Sequence, residues 1–164
     1  MKFLSEQGEP MNSIDLSCAE LGEVDLVGAH LSGAHIVKSN LTLAKLDKAD
    51  LQHAFLTDTA ITGAKMRSSK LGDANFTCSR LTYVDFTGAT FKDDEGKSAV
   101  FKDACYNKKA EGGRPKGLVI DNVDLADSLL DCSERPPSCT QDAPKAKTAK
   151  AQNLLEYFAA LVFP

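Results

Sequence analysis

The chain lacks any long apolar segment. No run of apolar residues among its 164 positions approaches the roughly eighteen that a membrane-spanning helix needs, so we expect no membrane span. The first residues also lack the apolar core of a signal peptide, and we therefore expect a cytoplasmic protein. The formal net charge of −4 is typical of a soluble protein and argues against direct binding of nucleic acid.

Motifs for catalysis and for cofactors are absent as well. The sequence has no glycine-rich nucleotide-binding loop and no Gly-x-Ser-x-Gly nucleophile motif. It has no Cys-x-x-Cys pair, the usual sign of a structural zinc site. We therefore predict no catalytic residue, no cofactor and no metal, and we expect the protein not to be an enzyme.

The chain does have a strict internal repeat of five residues. An α-helix cannot keep every fifth residue on one face, and a strand alternates with a period of two, so the pattern predicts a solenoid. A small or β-branched residue precedes each large one by two positions. The large apolar residues are Leu16, Leu21, Leu26, Leu31, Ile36, Leu41, Leu46, Leu51, Leu56, Ile61, Met66, Leu71, Phe76, Leu81, Phe86 and Phe91.

The repeat resembles the pentapeptide-repeat family, whose unit is roughly Ala-(Asp/Asn)-Leu-x-x. The clearest units are Ala49-Asp50-Leu51, Ala74-Asn75-Phe76 and Ala19-Glu20-Leu21. The resemblance implies an all-β fold, a right-handed quadrilateral parallel β-helix with one pentapeptide per side and four per coil. It predicts four to five coils, with a loop-rich C-terminal segment and a terminal α-helix.

This geometry places residues twenty apart in direct contact between neighbouring coils, about 4.8 Å from each other. Arg67 would then stack on Asp47, and Lys45 and Lys65 would lie between Asp25 and Asp85. The replacement of leucine by phenylalanine toward residue 91 predicts a wider core there, or contacts between rings.

The boundaries follow from where the repeat begins and loses register. We predict an N-terminal cap over 1–13 and the β-helix over 14–106. Residues 107–132 form a loop followed by either a fifth coil or a capping helix, because Ile120, Leu125 and Leu130 fit one alternative and Leu129 joins a helical face in the other. A linker over 133–144 leads to a helix over 145–164.

The last segment has an apolar helical face with spacings of three, four and seven. It could cap the rod, join two copies as a homodimer, or lie on a membrane surface. A comparable helix ends the Qnr-type quinolone-resistance proteins, and that weaker similarity implies dimerisation. The residues of the face are Leu154, Leu155, Phe158, Leu161 and Val162.

The five cysteines are expected to be reduced, because their number is odd and no secretion signal is apparent. Cys18 and Cys78 occupy the same surface position three coils apart, too far for a disulfide. Cys132 and Cys139 enclose two prolines and could form a disulfide in an oxidising compartment.

Two surface sets are the candidate binding residues. One is the column His53, Asp73 and Asp93, which we interpret as solvated because a flat face lacks the pocket of an active site. The other is the basic set Lys45, Lys65 and Arg67. We predict a non-catalytic scaffold that presents flat faces to an unknown protein partner. The alternatives are a DNA-mimicking rod that binds DNA gyrase or topoisomerase IV, as the Qnr-type resemblance implies, and an enzyme using the His/Asp column.

Overall fold

The architecture is a parallel β-helix in which residues twenty apart pair. The computed structural model describes residues 14–120, 123–126 and 129–139. Parallel bridges join Asp15 to His35 and continue in the same register to Lys70 and Thr90. Each coil in this region therefore contains four pentapeptides, as predicted.

Backbone hydrogen bonds between coils hold this register. The Leu46 N–H donates to the Lys65 carbonyl at 2.7 Å, and the Lys65 N–H donates to the Ala44 carbonyl at 2.9 Å. The same pair of bonds recurs along the rod, so the buried backbone polar groups are satisfied between neighbouring coils.

Tight turns form the corners. In most units the N–H of the small residue donates to the carbonyl of the large residue three positions earlier, as that of Ala44 does to Leu41 at 3.0 Å. The residue before the small one has a positive φ, for example 59° at Leu43 and 71° at Gly63, as the third residue of a type II turn requires.

The bridge residues define four faces, and each face also includes the two corner residues that follow every core residue. The bridge columns are Asp15, His35, Phe55, Asn75 and Val100 on face A; Glu20, Asn40, Ala60, Arg80 and Cys105 on face B; Asp25, Lys45, Lys65, Asp85 and Lys116 on face C; and His30, Asp50, Lys70 and Thr90 on face D.

The core contains the large apolar residues together with their small partners. Leu31 through Phe86 of the repeat series are essentially inaccessible to solvent. Toward the C-terminal end the core includes a group of aromatic rings, where Phe76 stacks on Phe101 with centroids 4.9 Å apart and Phe86 contacts Phe91 edge-on at 5.5 Å. The predicted ring contacts are therefore present.

The register changes after Phe91. Residues 92–98 form a small hairpin closed by the antiparallel bridge from Lys92 to Ser98, and Val100 then pairs with Asn75 at a spacing of 25. Ala99 and Phe101 re-enter the core because the hairpin loops out of the coil and leaves the faces aligned.

The remaining strands are short. β1 (Cys105–Tyr106) pairs in parallel with β4 (Leu130–Asp131), and β2 (Val119–Ile120) pairs antiparallel with β3 (Val123–Asp124). A 3₁₀ helix, Cys132–Glu134, follows β4.

The prediction for 107–132 needs correction. Val119–Ile120 and Val123–Asp124 form a hairpin, and Leu130–Asp131 forms a strand that extends face B, so the alternative of a capping helix that spans Asp124 to Asp131 is wrong. The Leu125 N–H donates to the Leu118 carbonyl, a bond between strand ends rather than a helical turn.

The disulfide prediction was also wrong. Cys78 bonds to Cys139 and Cys105 bonds to Cys132, leaving Cys18 as the free cysteine among the described residues. The pairing of β1 with β4 brings Cys132 beside Cys105, an arrangement that spacing along the chain does not reveal. Residues 129–139, here called the strap, are thus fastened to the rod instead of beginning a free linker.

Other predictions fall on residues outside the described ranges. These are the N-terminal cap over 1–13 and the C-terminal helix with Leu154, Leu155, Phe158, Leu161 and Val162. In the described part of the chain, no helix has the length and hydropathy to span a membrane.

Candidate functional site

The predicted column of one histidine and two aspartates is brought together in the structure. His53 and Asp73 occupy equivalent left-handed corner positions of successive coils, with φ of 59° and 54°. The His53 Nδ1 atom lies 3.2 Å from Asp73 Oδ2 and 3.9 Å from Asp93 Oδ2. These three residues are called the corner cluster below.

Asp93 reaches the cluster from the inserted hairpin and not from the regular repeat. Its Oδ1 atom accepts hydrogen bonds from the backbone N–H groups of Glu95 at 3.0 Å and Lys97 at 2.8 Å. Its side chain is 4% exposed, whereas that of Asp73 is 40% exposed. The same aspartate therefore closes the hairpin turn and directs a buried carboxylate oxygen toward His53.

A glycine beneath the hairpin allows this approach. A Cβ atom at Gly72 would lie 2.2 Å from the Asp93 backbone nitrogen, which is far too close for two heavy atoms. The Asp73 N–H donates to the Lys97 carbonyl at 3.2 Å and joins the hairpin to the corner. Gly72 is the sequence signal that could have predicted the contact.

The basic set lies on face C, where each member stacks as predicted. Arg67 binds Asp47 through two contacts, Nε to Oδ1 at 3.0 Å and Nη2 to Oδ2 at 2.6 Å. The Lys45 side chain contacts Asp25 at 3.2 Å. The backbone of Lys65 pairs with that of Lys45 in one neighbouring coil and with that of Asp85 in the other.

These ion pairs shift the pKa values of the acids. The hydrogen bond from Arg67 lowers the pKa of Asp47, and the hydrogen bond from Lys45 lowers the pKa of Asp25. Both carboxylates therefore stay ionised to lower pH than isolated aspartates.

Sequence reasoning missed a buried ion pair under the strap. Arg135 is 3% exposed, donates from Nη2 to Asp58 Oδ1 at 3.3 Å, and makes a second, shorter hydrogen bond to the Cys78 carbonyl. Burial and the nearby charge of Arg80 lower the pKa of Arg135, and Asp58 opposes them. The bond between Cys78 and Cys139 holds the strap over this pair.

A cleft of about 540 Å³ lies between face B and the strap. Its lining includes Thr82, Tyr83, Asn107 and the disulfide-bonded Cys132. The described residues of this lining include no histidine, no carboxylate and no free thiol.

The geometry defines a class of protein, a solenoid of five-residue units with flat, fixed faces. The family profile "Pentapeptide repeats (8 copies)" matches residues 14–52, 25–63 and 56–93. The chain belongs to the pentapeptide-repeat family through this segment, about half of its length. Membership implies that the β-helix is right-handed.

Solved structures of the same family are similar to the chain. Full-length QnrB1, a plasmid-mediated fluoroquinolone resistance protein, is 20% identical with a TM-score of 0.47, over 58% of this chain and 52% of that one. A pentapeptide repeat protein from the Arabidopsis thaliana thylakoid lumen is 20% identical with a TM-score of 0.42, over 59% and 64%. HetL, involved in heterocyst differentiation regulation in the cyanobacterium Nostoc, is 32% identical with a TM-score of 0.36, over 55% and 44%.

The chain spans less than two thirds of each of these three structures. A comparison with curated proteins gives no significant match.

Proposed function

We propose that the protein is a non-catalytic binding module whose face C docks onto an acidic protein surface. The observation that carries the proposal is the charge of this face, which has five bases against three acids although the whole chain has a net charge of −4. The bases are Lys45, Lys48, Lys65, Arg67 and Lys116, and the acids are Asp25, Asp47 and Asp85.

Part of this positive charge is not neutralised within the face. Arg67 and Lys45 have acidic partners, but Lys48, Lys65 and Lys116 are exposed and have no ion pair within 4 Å among the described residues. Lys65 also lies directly opposite Lys45 in the backbone pairing of the coils, and like charges opposite each other on paired strands destabilise the pairing. An acidic partner would relieve this repulsion.

The rigidity of the face supports binding as its role. Hydrogen bonds fix the backbone of this face, for example from Leu46 N–H to Lys65 O and from Lys65 N–H to Ala44 O. Binding a partner therefore costs little backbone conformational entropy. A preorganised surface retains more of its contact energy as affinity. Electrostatic complementarity would also steer the encounter and make it dependent on salt.

The two alternatives lack comparable support. A DNA mimic needs a continuous negative stripe, and face C is basic while faces A and D mix signs, as Lys38 and Lys70 among acids illustrate. The helix that suggested Qnr-type dimerisation lies outside the described residues. An enzyme would need a concave site with a reactive pair, which the described cleft does not contain.

The test is a charge reversal on face C with a matched control elsewhere on the surface. The face C variant is Lys48→Glu, Lys65→Glu and Lys116→Glu; the control is Lys70→Glu, Lys102→Glu and Lys109→Glu, with the same change of net charge. Both variants, the wild type and a bead-only sample serve as bait for quantitative capture, and the captured partner is then purified and its dissociation constant measured at low and high salt.

We expect an acidic partner that binds the wild type and the control equally, binds the face C variant at least tenfold more weakly, and weakens with salt. Equal binding to both variants would overturn the role of face C. Inhibition of gyrase supercoiling by the wild type would overturn the proposal in favour of DNA mimicry.

We also propose that the protein works in an oxidising compartment, contrary to the expectation of reduced thiols in the cytoplasm. Two disulfides join the strap to the rod, and such bonds persist where glutathione and thioredoxin do not reduce them. Thiol alkylation of the protein from its native source, followed by mass spectrometry, should find Cys18 modified and Cys78 and Cys105 protected. Full labelling of all five cysteines would contradict it.

A further inference from the structure

We propose that His53, Asp73 and Asp93 form a binding site for a divalent transition-metal ion such as Zn²⁺. The inference revises the interpretation of these residues as a solvated column and is independent of the function proposed for face C. It depends on three features of the corner cluster: an unsatisfied buried oxygen, the spacing of the three donor atoms, and the backbone that fixes them.

The first feature is the Oδ2 atom of Asp93. It is buried and accepts no hydrogen bond from any described residue, whereas Oδ1 of the same carboxylate accepts two. A buried anionic oxygen without a partner is costly, and structures retain one where something else compensates it. Asp93 Oδ2 points toward His53 Nδ1 at 3.9 Å, which exceeds a hydrogen bond but suits two ligands of one ion.

The second feature is the spacing. One nitrogen of His53 and one oxygen each of Asp73 and Asp93 all lie within 4.8 Å of one another, and the His53–Asp73 pair is 3.2 Å apart. Ligands about 2.0–2.1 Å from a tetrahedral zinc ion are separated by about 3.3 Å. Small rotations of the partly exposed His53 and Asp73 side chains would close the remaining difference.

The chemistry of the donors fits such an ion. One imidazole and two carboxylates are ligands that Zn²⁺ accepts, and the charges of Asp73 and Asp93 would balance those of the dication. Without an ion the two carboxylates repel each other at short range. The neighbouring cation Lys97 pairs with Glu95 at 2.7 Å; Asp73 and Asp93 help to raise the pKa of Lys97, but neither forms an ion pair with it within 4 Å.

The third feature is preorganisation. The His53 N–H donates to the Gly72 carbonyl at 2.9 Å, which locks the coil of His53 to that of Asp73. The Asp93 N–H donates to the Lys97 carbonyl at 3.0 Å and holds the hairpin above them. Three protein ligands on a convex corner leave further coordination positions for water or for a ligand from another molecule.

The experiment is calorimetric titration of the EDTA-treated full chain with Zn²⁺, together with thermal unfolding with and without the ion. The background substitution Cys18→Ser removes the free thiol. The test variants are His53→Ala and Asp93→Asn, and the control is His30→Ala. His30 is an exposed histidine whose backbone pairs with that of Asp50, and among the described residues it belongs to no cluster of potential metal ligands.

We expect one equivalent of Zn²⁺ to bind the background protein and His30→Ala with the same dissociation constant, to raise Tm, and to be removed by EDTA. His53→Ala and Asp93→Asn should each raise the dissociation constant at least tenfold. Absence of binding up to 1 mM Zn²⁺, or equal binding by all variants, would overturn the proposal.

Asp93→Asn also separates metal binding from folding. The amide keeps the oxygen that accepts the two hairpin hydrogen bonds and removes one of the two facing charges. We therefore expect its Tm without metal to equal or exceed that of the background, while the Tm increase caused by Zn²⁺ is lost. A lower Tm without metal and an undiminished increase with it would show that the aspartate is structural and does not bind the ion.

Discussion

At the scale of single residues, one corner column contains hydroxyl groups where alanine is usual. Ser39, Thr59 and Ser79 stack in successive coils, and each hydroxyl donates to a carbonyl of the preceding coil, Leu16, Ile36 and Leu56 respectively. The distances are 2.5–2.7 Å, and all three side chains are buried. These bonds add side-chain links between coils beside the backbone ladder.

Thr59→Val tests one of these links with little change in shape. The substitution leaves the buried Ile36 carbonyl without its 2.6 Å partner, and we expect the free energy of unfolding to fall by about 1–3 kcal/mol. Urea denaturation followed by circular dichroism measures the change. Thr57→Val, at a half-exposed position two residues away, is the control and should be close to neutral.

The ion pair between Asp47 and Arg67 should make the stability of the protein depend on pH. Because Arg67 lowers the pKa of Asp47 in the folded protein, this carboxylate stabilises the fold above the unfolded pKa of about 3.9. The contribution is lost as the pH falls through the lower folded value. The Tm of Asp47→Asn should therefore lie below that of the wild type at pH 7, and the two should converge as the pH approaches 2. A constant difference across this range would rule out the linkage.

At the scale of elements, the inserted hairpin 92–98 depends on one glycine. In Gly72→Ala the added Cβ would meet the Asp93 backbone at 2.2 Å, so the hairpin must move away from the corner. We expect the affinity for Zn²⁺ to fall at least tenfold although all three proposed ligands remain. Gly22→Ala is the control, because a Cβ there has its nearest neighbour at an ordinary 3.6 Å. Unchanged affinity in Gly72→Ala would mean that the hairpin adapts without moving Asp93.

The strap is the second element with a direct test. Each disulfide closes a long loop, with sequence separations of 61 for Cys78–Cys139 and 27 for Cys105–Cys132, and restricts the unfolded chain. Cys78→Ala with Cys139→Ala should lower the free energy of unfolding by about 2–4 kcal/mol. Dithiothreitol should lower the Tm of the wild type but have a smaller effect on the double variant. An identical effect on both proteins would mean that Cys78–Cys139 does not form in solution.

The structure of the repeat units can be predicted from the sequence, whereas the structure of the inserted hairpin and of the strap cannot. Units such as Ala49-Asp50-Leu51 all adopt the same local conformation. The period of five residues therefore determines which residues form the core and the corners, and it places Arg67 on Asp47. The pairing of Cys105 with Cys132 instead requires knowing that β4 adds to β1 after a spacing of 25. The burial of Asp93 likewise depends on how a non-repeating hairpin folds back onto Gly72.

At the scale of the whole molecule, each coil contains twenty residues, so the position of a residue in the sequence determines the face of the β-helix on which it lies. Removing one coil, residues 21–40, leaves the alignment of all later columns unchanged, so the corner cluster should persist in a shorter rod. Removing one unit, residues 61–65, turns everything after it by a quarter turn and places Cys78 instead of Asp73 beside His53. We expect the first deletion to keep Zn²⁺ binding and the second to abolish it, as measured by calorimetry on the folded variants. Retention in the second would refute the column arrangement.

This relation also bears on how such a chain can evolve. Gain or loss of a full coil changes the length of the rod and preserves every surface motif, so selection can act on length and on binding separately. Gain or loss of one or two units keeps the core intact but reassigns residues to other faces, and a single short deletion can thereby create a new surface from old residues. Lineages of this architecture should accordingly diverge in surface far faster than in core, with abrupt changes wherever a length difference is not a multiple of twenty.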